Sequence, residues 1–258
     1  MKVALCFSGQ PRNALQTYDY FKKNIIDANN ADVFIHMNYD NDNLYIEKSH
    51  SDNGNCFLDK DLDKKIIDLY KPKRYLIEAP KNFNKQNIHI DEKRLDRSKK
   101  MNSHMNWNNE EHEKYILKQL TSHLYSVYKC NELKELYANE NGILYDYVIF
   151  VRFDLFLYQP IICNNLDPDF IHYIEMSQPD EMISDWLNIG SNAIMNIYSS
   201  RYLTIDYFNT FKFYKLCDRS SHEPSIHVGG TYEHLLRDIM HFHKIPKKGF
   251  NIYCELKN

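Results

Sequence analysis

The stretch that decides the fold is Val3-Ala4-Leu5-Cys6-Phe7-Ser8-Gly9-Gln10-Pro11-Arg12. A short apolar run that ends at turn residues is typical of a strand buried on both faces of a parallel sheet. A helical pattern follows from about residue 13 to 29, and Asp32-Val33-Phe34-Ile35-His36 is a second strand of the same type. Strand, helix and strand in this order predict a βαβ unit with parallel pairing.

The rest of the chain continues this alternation. Its strongest strand pattern is Tyr147-Val148-Ile149-Phe150-Val151, and its clearest helix runs from about residue 110 to 137, with Asn108 or Asn109 as N-cap and Gly142 beyond its end. We therefore predict a single α/β domain over residues 1–258, with a mostly parallel central sheet flanked by helices. A charged stretch at about 79–108 is expected to be partly mobile or to form a lid. Further strands are expected at 75–78, 170–176, 187–190 and 250–253, and further helices at 58–69, 191–198, 201–216 and 231–243.

Composition limits the classes of protein that fit. The 258 residues are 43% hydrophobic and 26% charged, as in globular domains. A net charge of −3 and a pI near 6.5 argue against a nucleic-acid partner. The longest apolar runs are too short for a transmembrane segment or a signal peptide, and the six cysteines form no CxxC motif. We expect a cytoplasmic protein with free thiols.

Ligands of open α/β sheets bind outside the carboxyl ends of the strands, so residues that follow strands are the first candidates. After the first strand, Ser8, Gly9 and Gln10 form a turn, and Arg12 stands where a guanidinium could meet phosphate or a base. The turn lacks the Walker and GxGxxG patterns, and an ordinary turn with a surface arginine is the alternative. His36, at the end of the second strand, is either a ligand-binding or a hydrogen-bonded packing residue.

Three more candidates carry acidic groups. Alternation puts Arg152 and Asp154 on one face, either as a salt bridge or as a phosphate-binding cation beside a metal-binding carboxylate. Asp185 and Trp186 pair a carboxylate with an aromatic wall, which suits a sugar, although a helix cap and a core tryptophan would look the same. Glu233 opens a predicted helix, where the helix dipole alone favours an acid.

The order of these motifs resembles that of small bacterial and giant-virus glycosyltransferases, which open with an apolar strand and an SGQPR-type loop. The resemblance implies a Rossmann-like GT-A domain that uses a nucleotide-diphosphate sugar, a glycan or other hydroxyl acceptor and often Mn²⁺ or Mg²⁺. The matching segments are Val3 to Arg12, Ala31 to His36, Gln119-Leu120, Ser126-Val127-Tyr128-Lys129, Tyr145 to Ile149, Arg152-Phe153-Asp154, Asp185-Trp186 and Ile189-Gly190-Ser191.

The resemblance also implies roles for the candidate residues. Residues 8–12, His36, Arg152 and Trp186 would bind the donor, and Arg152-Phe153-Asp154 stands where such enzymes carry a DxD motif. Because arginine replaces the first acid, either Asp154 holds the ion alone or Arg152 supplies the positive charge. Asp185 is the first candidate for the base that takes the proton of the acceptor hydroxyl, and Glu233 is the second.

Two other functions remain open at this point. The chain could be a non-catalytic binding or structural protein on a degenerate scaffold, with Arg152 as the change that abolished activity. It could also be a nucleotidyl- or sulfotransferase, although the sulfotransferase is disfavoured because no phosphate loop follows the first strand.

Overall fold

The computed structural model describes residues 1–46, 56–83, 106–175, 183–208 and 239–256, together with residues 96 and 99. Most of the insertion predicted at 79–108 lies outside these residues. So do Glu233, residues 209–216 of one predicted helix and residues 231–238 of another.

The described strands confirm the predicted mostly parallel sheet. They are β1 (Val3–Gly9), β2 (Asp32–Asn38), β3 (Tyr45–Ile46), β4 (Cys56–Phe57), β5 (Arg74–Glu78), β6 (Tyr147–Val151), β7 (Leu155–Leu157), β8 (Ile171–Ile174), β9 (Leu187–Ser191), β10 (Lys247–Phe250) and β11 (Cys254–Leu256). Seven of them form the central sheet in the order β10-β8-β9-β6-β1-β2-β5, and in it β9 alone runs against the rest. The short pairs β3–β4 and β7–β11 are antiparallel.

The helices also follow the sequence pattern. They are α1 (Ala14–Phe21), α2 (Asp27–Asn29), α3 (Leu62–Tyr70), α4 (Asn109–Asn141), α5 (Asn192–Ser199) and α6 (Arg201–Phe208), and a π-turn at Lys22–Ile26 joins α1 to α2. Helix α4 begins with a capping box, because Asn108 accepts from the backbone N–H of Glu111 while the Glu111 carboxylate accepts from that of Asn108. It ends at Gly142, whose φ of 63° is the left-handed geometry that glycine adopts most readily. No described helix is long and apolar enough to cross a bilayer.

Alternation along the strands builds a hydrophobic core on each face of the sheet. On β1, Leu5 and Phe7 face a cluster that includes α1 and α3, whereas Ala4 and Cys6 face a cluster that includes α4 and α5. All four side chains are fully buried, so β1 is apolar throughout instead of alternating with polar residues. This explains why the opening stretch specifies the centre of the sheet.

The carboxyl-terminal tail differs from the prediction. The apolar pattern indicates one strand at 250–253, but two strands flank that segment, Lys247–Phe250 at the edge of the central sheet and Cys254–Leu256 against β7. Exposed lysines are typical of an edge strand and give it no hydrophobic periodicity. The tail therefore forms one edge of the central sheet.

Candidate functional site

The predicted site residues gather at one edge of the sheet. Strands β1 and β6 run parallel, and Val151, the last residue of β6, lies opposite Phe7, two residues before β1 ends. Strand β9 is antiparallel, so its first residue, Leu187, lies opposite Val151. The loop after β1, the turn after β6 and the residues before β9 are thereby brought to the same edge.

The loop after β1 is shaped by backbone geometry. Gly9 has a φ of 108°, and a Cβ there would meet open space, so glycine is required for its backbone conformation and not for close approach. The Arg12 guanidinium donates through Nη2 to Oε1 of Gln10 at 2.6 Å. Arg12 also lines a cavity of about 160 Å³ whose other walls include Phe57 and Asp59. The loop thus places a cation beside a small cavity.

The turn after β6 is anchored by Phe153. This ring is buried and stacks on Phe7 at 5.1 Å between ring centroids. Its carbonyl accepts a hydrogen bond from the Thr17 hydroxyl at 2.7 Å, which ties the turn to α1. Because Phe153 points into the core, Arg152 and Asp154 on either side of it share the opposite face.

Arg152 and Asp154 form a two-pronged ion pair. Nε and Nη2 of Arg152 donate to Oδ1 and Oδ2 of Asp154, each at 2.8 Å. Asp154 is 4% exposed, whereas the Arg152 side chain is 30% exposed. Burial raises the pKa of Asp154, but the charge and hydrogen bonds of Arg152, together with the charge of Arg12, outweigh burial and leave that pKa lowered. Asp154 is therefore held ionised, and Arg152 faces the site.

This geometry bears on the predicted divalent cation. A cation such as Mn²⁺ would need carboxylate oxygens free to coordinate it. Both oxygens of Asp154 accept from Arg152, and the described residues hold no group of three or more His, Cys, Asp or Glu side chains that could hold a metal. As placed, these residues do not fit a divalent ion unless the ion pair opens.

Asp185 and Trp186 meet this ion pair from β9. The backbone N–H of Arg152 donates to the carbonyl of Trp186 at 3.2 Å, extending the pairing of β6 with β9 by one residue. The Trp186 N–H donates to the hydroxyl of Ser184 at 3.2 Å. Asp185 is 8% exposed, and Trp186 is half-buried. The backbone pairing thus brings Asp185 and Trp186 next to Arg152 in the sheet, and the Trp186 ring packs against the core cluster that includes α1 and α3.

His36 lies apart from this group, on β2. Its side chain is fully buried, and its Nδ1 and Nε2 lie 3.0 Å from Ser126 Oγ and Glu78 Oε2. Burial lowers the pKa of His36, with Glu78 acting in the opposite direction. Burial raises the pKa of Glu78, but hydrogen bonds from His36, Lys81 and Tyr125 bring it to about 2. These contacts show that His36 is a buried, hydrogen-bonded residue of the packed interior. Its role in binding the donor stays a prediction.

Sequence reasoning missed a polar cluster beneath Asp185. Asn188, on β9, is fully buried and donates to the carbonyl of Ser184 at 2.8 Å. Arg201, at the start of α6, is also fully buried and stacks over the ring of Tyr198, with Cζ 3.8 Å from the ring centroid. No motif marks these residues, because only the packing of α4, α5 and β9 brings them together.

The pKa of His123, on α4, is influenced by the charges of this cluster. Burial lowers the pKa of His123 to about 4; the charge of Asp185 opposes that shift, and the charges of Arg201 and Arg152 add to it. The residue as a whole keeps some exposed surface, but its Nε2 atom has none. His123 is therefore neutral at pH 7 and lies within reach of the fields of all three charged groups.

Comparisons with known proteins give structural neighbours but no match by sequence. No protein-family model and no curated protein matches this sequence. Among solved structures, the apo glycosyltransferase GlyE of Streptococcus pneumoniae TIGR4 is 6% identical with a TM-score of 0.36, and the alignment covers 96% of this chain and 44% of GlyE. Mouse xyloside xylosyltransferase 1 is 8% identical with a TM-score of 0.37, over 96% of this chain and 84% of that protein. The chain thus spans less than half the length of GlyE.

Proposed function

We propose that this chain is a glycosyltransferase that moves a sugar from a nucleotide-diphosphate sugar to an acceptor hydroxyl. The observation that carries the proposal is the convergence of Arg12, Arg152, Asp185 and Trp186 at the carboxyl edge of the sheet, where β9 reverses direction. In open α/β sheets, ligands bind in the crevice outside the carboxyl ends of the strands, at the point where the connections turn to opposite sides of the sheet. Here that point lies between β1, which connects to β2 on one side, and β6, which lies on its other side. The site thereby combines cations that can bind a diphosphate, a carboxylate that can accept a proton and an aromatic ring that can contact a sugar.

The charges suit departure of a nucleoside diphosphate. In the transfer, the bond between the anomeric carbon and the diphosphate oxygen breaks, and its electron pair stays on the diphosphate. Arg152 and Arg12 present fixed positive charge to that developing negative charge, which is the main electrostatic task of the reaction. Asp154 holds the Arg152 fork in place, so little reorganisation is needed when the charge develops.

The acceptor side of the reaction falls to Asp185. The acceptor oxygen forms the new bond to the anomeric carbon, and its proton passes to a carboxylate, a role that an inverting transfer requires. Trp186 would lie against the sugar ring through CH contacts and exclude water. Glu233 is the second candidate for the base.

A non-catalytic binding protein is the second candidate function. The closed ion pair of Arg152 and Asp154 favours it, because a carboxylate used in this way is not available to a metal ion as the acids of a DxD motif are. The same site would then bind a nucleotide sugar, or another oxyanion, without transferring it.

A thermal-shift screen with UDP-, GDP-, CMP- and dTDP-sugars, each with Mn²⁺ and with EDTA, tests the proposal. Saturating ligand at 100 times its dissociation constant adds about 2.7 kcal/mol, which such an assay resolves. We expect one nucleotide to stabilise the wild-type chain in EDTA and Arg152→Lys to weaken the shift. The matched control is Arg74→Lys, because Arg74 pairs with Glu140 in an exposed ion pair on another part of the chain.

The outcomes separate the alternatives. A shift that requires Mn²⁺ and is lost in Asp154→Ala would return the charge-stabilising role to the predicted divalent cation. Binding without release of free nucleoside diphosphate over a panel of acceptors would favour the binding protein. No shift with any nucleotide sugar would refute the proposal.

A further inference from the structure

Arg201 is a buried cation whose hydrogen-bonding capacity is mostly unused. Its side chain is 0% exposed, and Nε donates to the carbonyl of Tyr198 at 2.7 Å. Neither Nη1 nor Nη2 has a hydrogen-bond partner among the described residues. A guanidinium carries five N–H donors and stays charged, so four donors of Arg201 point at no acceptor.

Such a group is costly unless something accepts from it. Buried charges are as a rule paired and hydrogen-bonded, and a buried polar atom without a partner calls for a specific explanation. Tyr198 offsets part of the cost through the negative face of its ring and through a side-chain interaction with Arg201, but neither Nη1 nor Nη2 meets an acceptor in hydrogen-bond geometry among the described residues. The fork geometry of the two nitrogens matches the oxygens of a phosphate or a carboxylate.

The surroundings of Arg201 belong to the candidate site. Asn188 donates through Nδ2 to the Tyr198 hydroxyl at 3.4 Å. Its Oδ1 is buried and has no hydrogen-bond partner among the described residues, so it is a second polar atom that a ligand could satisfy. His123 lies within the fields of Arg201, Asp185 and Arg152. Tyr198, on which Arg201 stacks, belongs to the core cluster on the side of the sheet covered by α4 and α5.

We propose that Arg201 is an oxyanion-binding residue that engages the donor, through either the diphosphate or a carboxylate on the transferred sugar, and this inference rests on the proposed function. In this arrangement Arg152 and Arg201 both bind oxyanion groups of the donor. Asn188 Oδ1 accepts from a hydroxyl of the same ligand. The unpaired N–H groups of Arg201 then donate hydrogen bonds to the bound ligand.

The first experiment compares ligand-free stability. Arg201→Met keeps the length of the aliphatic stem and removes the charge. If the partner of Arg201 is a ligand, the ligand-free wild type holds an unpaired buried charge, and the variant should melt at or above the wild-type temperature in phosphate-free buffer. The control is Lys134→Met, since Lys134 is also fully buried but is paired with Glu135 and Asn196. We expect the control to melt several degrees lower. A similar fall for Arg201→Met, or a variant that does not fold, would overturn the proposal.

The second experiment measures affinity by calorimetry. Arg201→Lys keeps a charge and loses the fork, and we expect it to bind at least one oxyanion ten-fold or more weakly than wild type. The probes are inorganic pyrophosphate, UDP, UDP-glucose and UDP-glucuronate, or the equivalent nucleotides if the screen selects another base. A loss already present with pyrophosphate and UDP identifies the diphosphate. A loss confined to UDP-glucuronate identifies the sugar carboxylate.

The results distinguish this inference from the proposed function. If pyrophosphate binds wild type through Arg201 but no nucleotide does, the oxyanion site stands and the glycosyltransferase fails. If a nucleotide sugar binds wild type and the affinity of every probe is unchanged in Arg201→Lys and Arg201→Met, the glycosyltransferase stands and the role of Arg201 is refuted.

Discussion

Replacing Asp154 with asparagine keeps the shape of the side chain and removes the charge that faces Arg152. The pair has two hydrogen bonds of 2.8 Å, with a carboxylate that is 4% exposed and an arginine that is 30% exposed. Exposed ion pairs contribute about 0–1 kcal/mol, and breaking a fully buried one costs about 3–5 kcal/mol. We therefore expect a loss of about 2 kcal/mol, which lowers Tm by about 4–8 °C in a chain of this size.

The loss should depend on pH in a defined direction. Burial alone would raise the pKa of Asp154, but Arg152 outweighs it, so the pKa in the folded chain lies below the unfolded value of about 3.9. The contribution of the ionised carboxylate is therefore fully present above about pH 4 and is lost as the pH falls through the folded pKa. The stability difference between wild type and Asp154→Asn should be constant near pH 7 and should shrink in acid.

Urea denaturation at pH 7 and at pH 3, followed by circular dichroism, measures this difference. Asp27→Asn serves as control, because the pair of Asp27 with Lys22 is exposed, and we expect it to change stability by less than about 0.5 kcal/mol. A pH-independent loss in Asp154→Asn would show that the asparagine acts through packing or lost hydrogen bonds. Equal losses in both variants would refute the reasoning that the burial of Asp154 strengthens its pair.

The other predictions concern stability at single buried or strained positions. Thr17→Val removes the hydrogen bond to the carbonyl of Phe153 and should lower the free energy of unfolding in urea by about 1–3 kcal/mol. The control Thr121→Val loses only a hydrogen bond within its own helix and should lower it by less than half as much. Equal losses in the two variants would contradict the anchoring of the turn by Thr17. Gly142→Ala should cost about 1 kcal/mol, since the left-handed φ disfavours a side chain although space is open, and an unchanged Tm would show that the helix end relaxes. The pKa of His123 is about 4 in the folded chain and about 6.5 in the unfolded chain, so folding resists its protonation. The free energy of unfolding should therefore fall by up to about 3 kcal/mol between pH 6.5 and 4, and His123→Gln should reduce this pH dependence in a pH series of melting curves. An unchanged pH dependence in the variant would exclude His123 as its source.

The fold could be predicted from the sequence where the local pattern and the tertiary environment agree. Strand β1 is buried on both faces, and its apolar run shows this directly. Helix α4 carries its own start and stop signals in Asn108 and Gly142, and both act as predicted. The tail was mispredicted because β10 contains two lysines and a glycine, and an edge strand gets its hydrogen bonds from the neighbouring strand and not from its own hydrophobicity.

The candidate site was only partly predictable, for a related reason. Arg152, Asp154, Asp185 and Trp186 follow or precede strands, so topology alone brings them to one edge. Whether Asp154 is open to a metal depends on the direction of one arginine side chain, which no pattern in a single sequence encodes. Arg201 was invisible because its burial results from the packing of helices that are distant in the chain.

The reversed direction of β9 has a consequence for the accuracy of the site. Asp185 lies two residues before β9, so its position relative to Arg152 is set by the register in which β9 pairs with β6. Each one-residue slip would move the carboxylate by about 3.3 Å. A one-residue slip would turn Leu187 and Ile189, which are fully buried in the core cluster that includes α1 and α3, to the opposite face of the sheet, and this packing holds the register. The spacing of charges at the surface is thus fixed by a contact in the interior, and mutations in the core can alter ligand selectivity without touching the ligand.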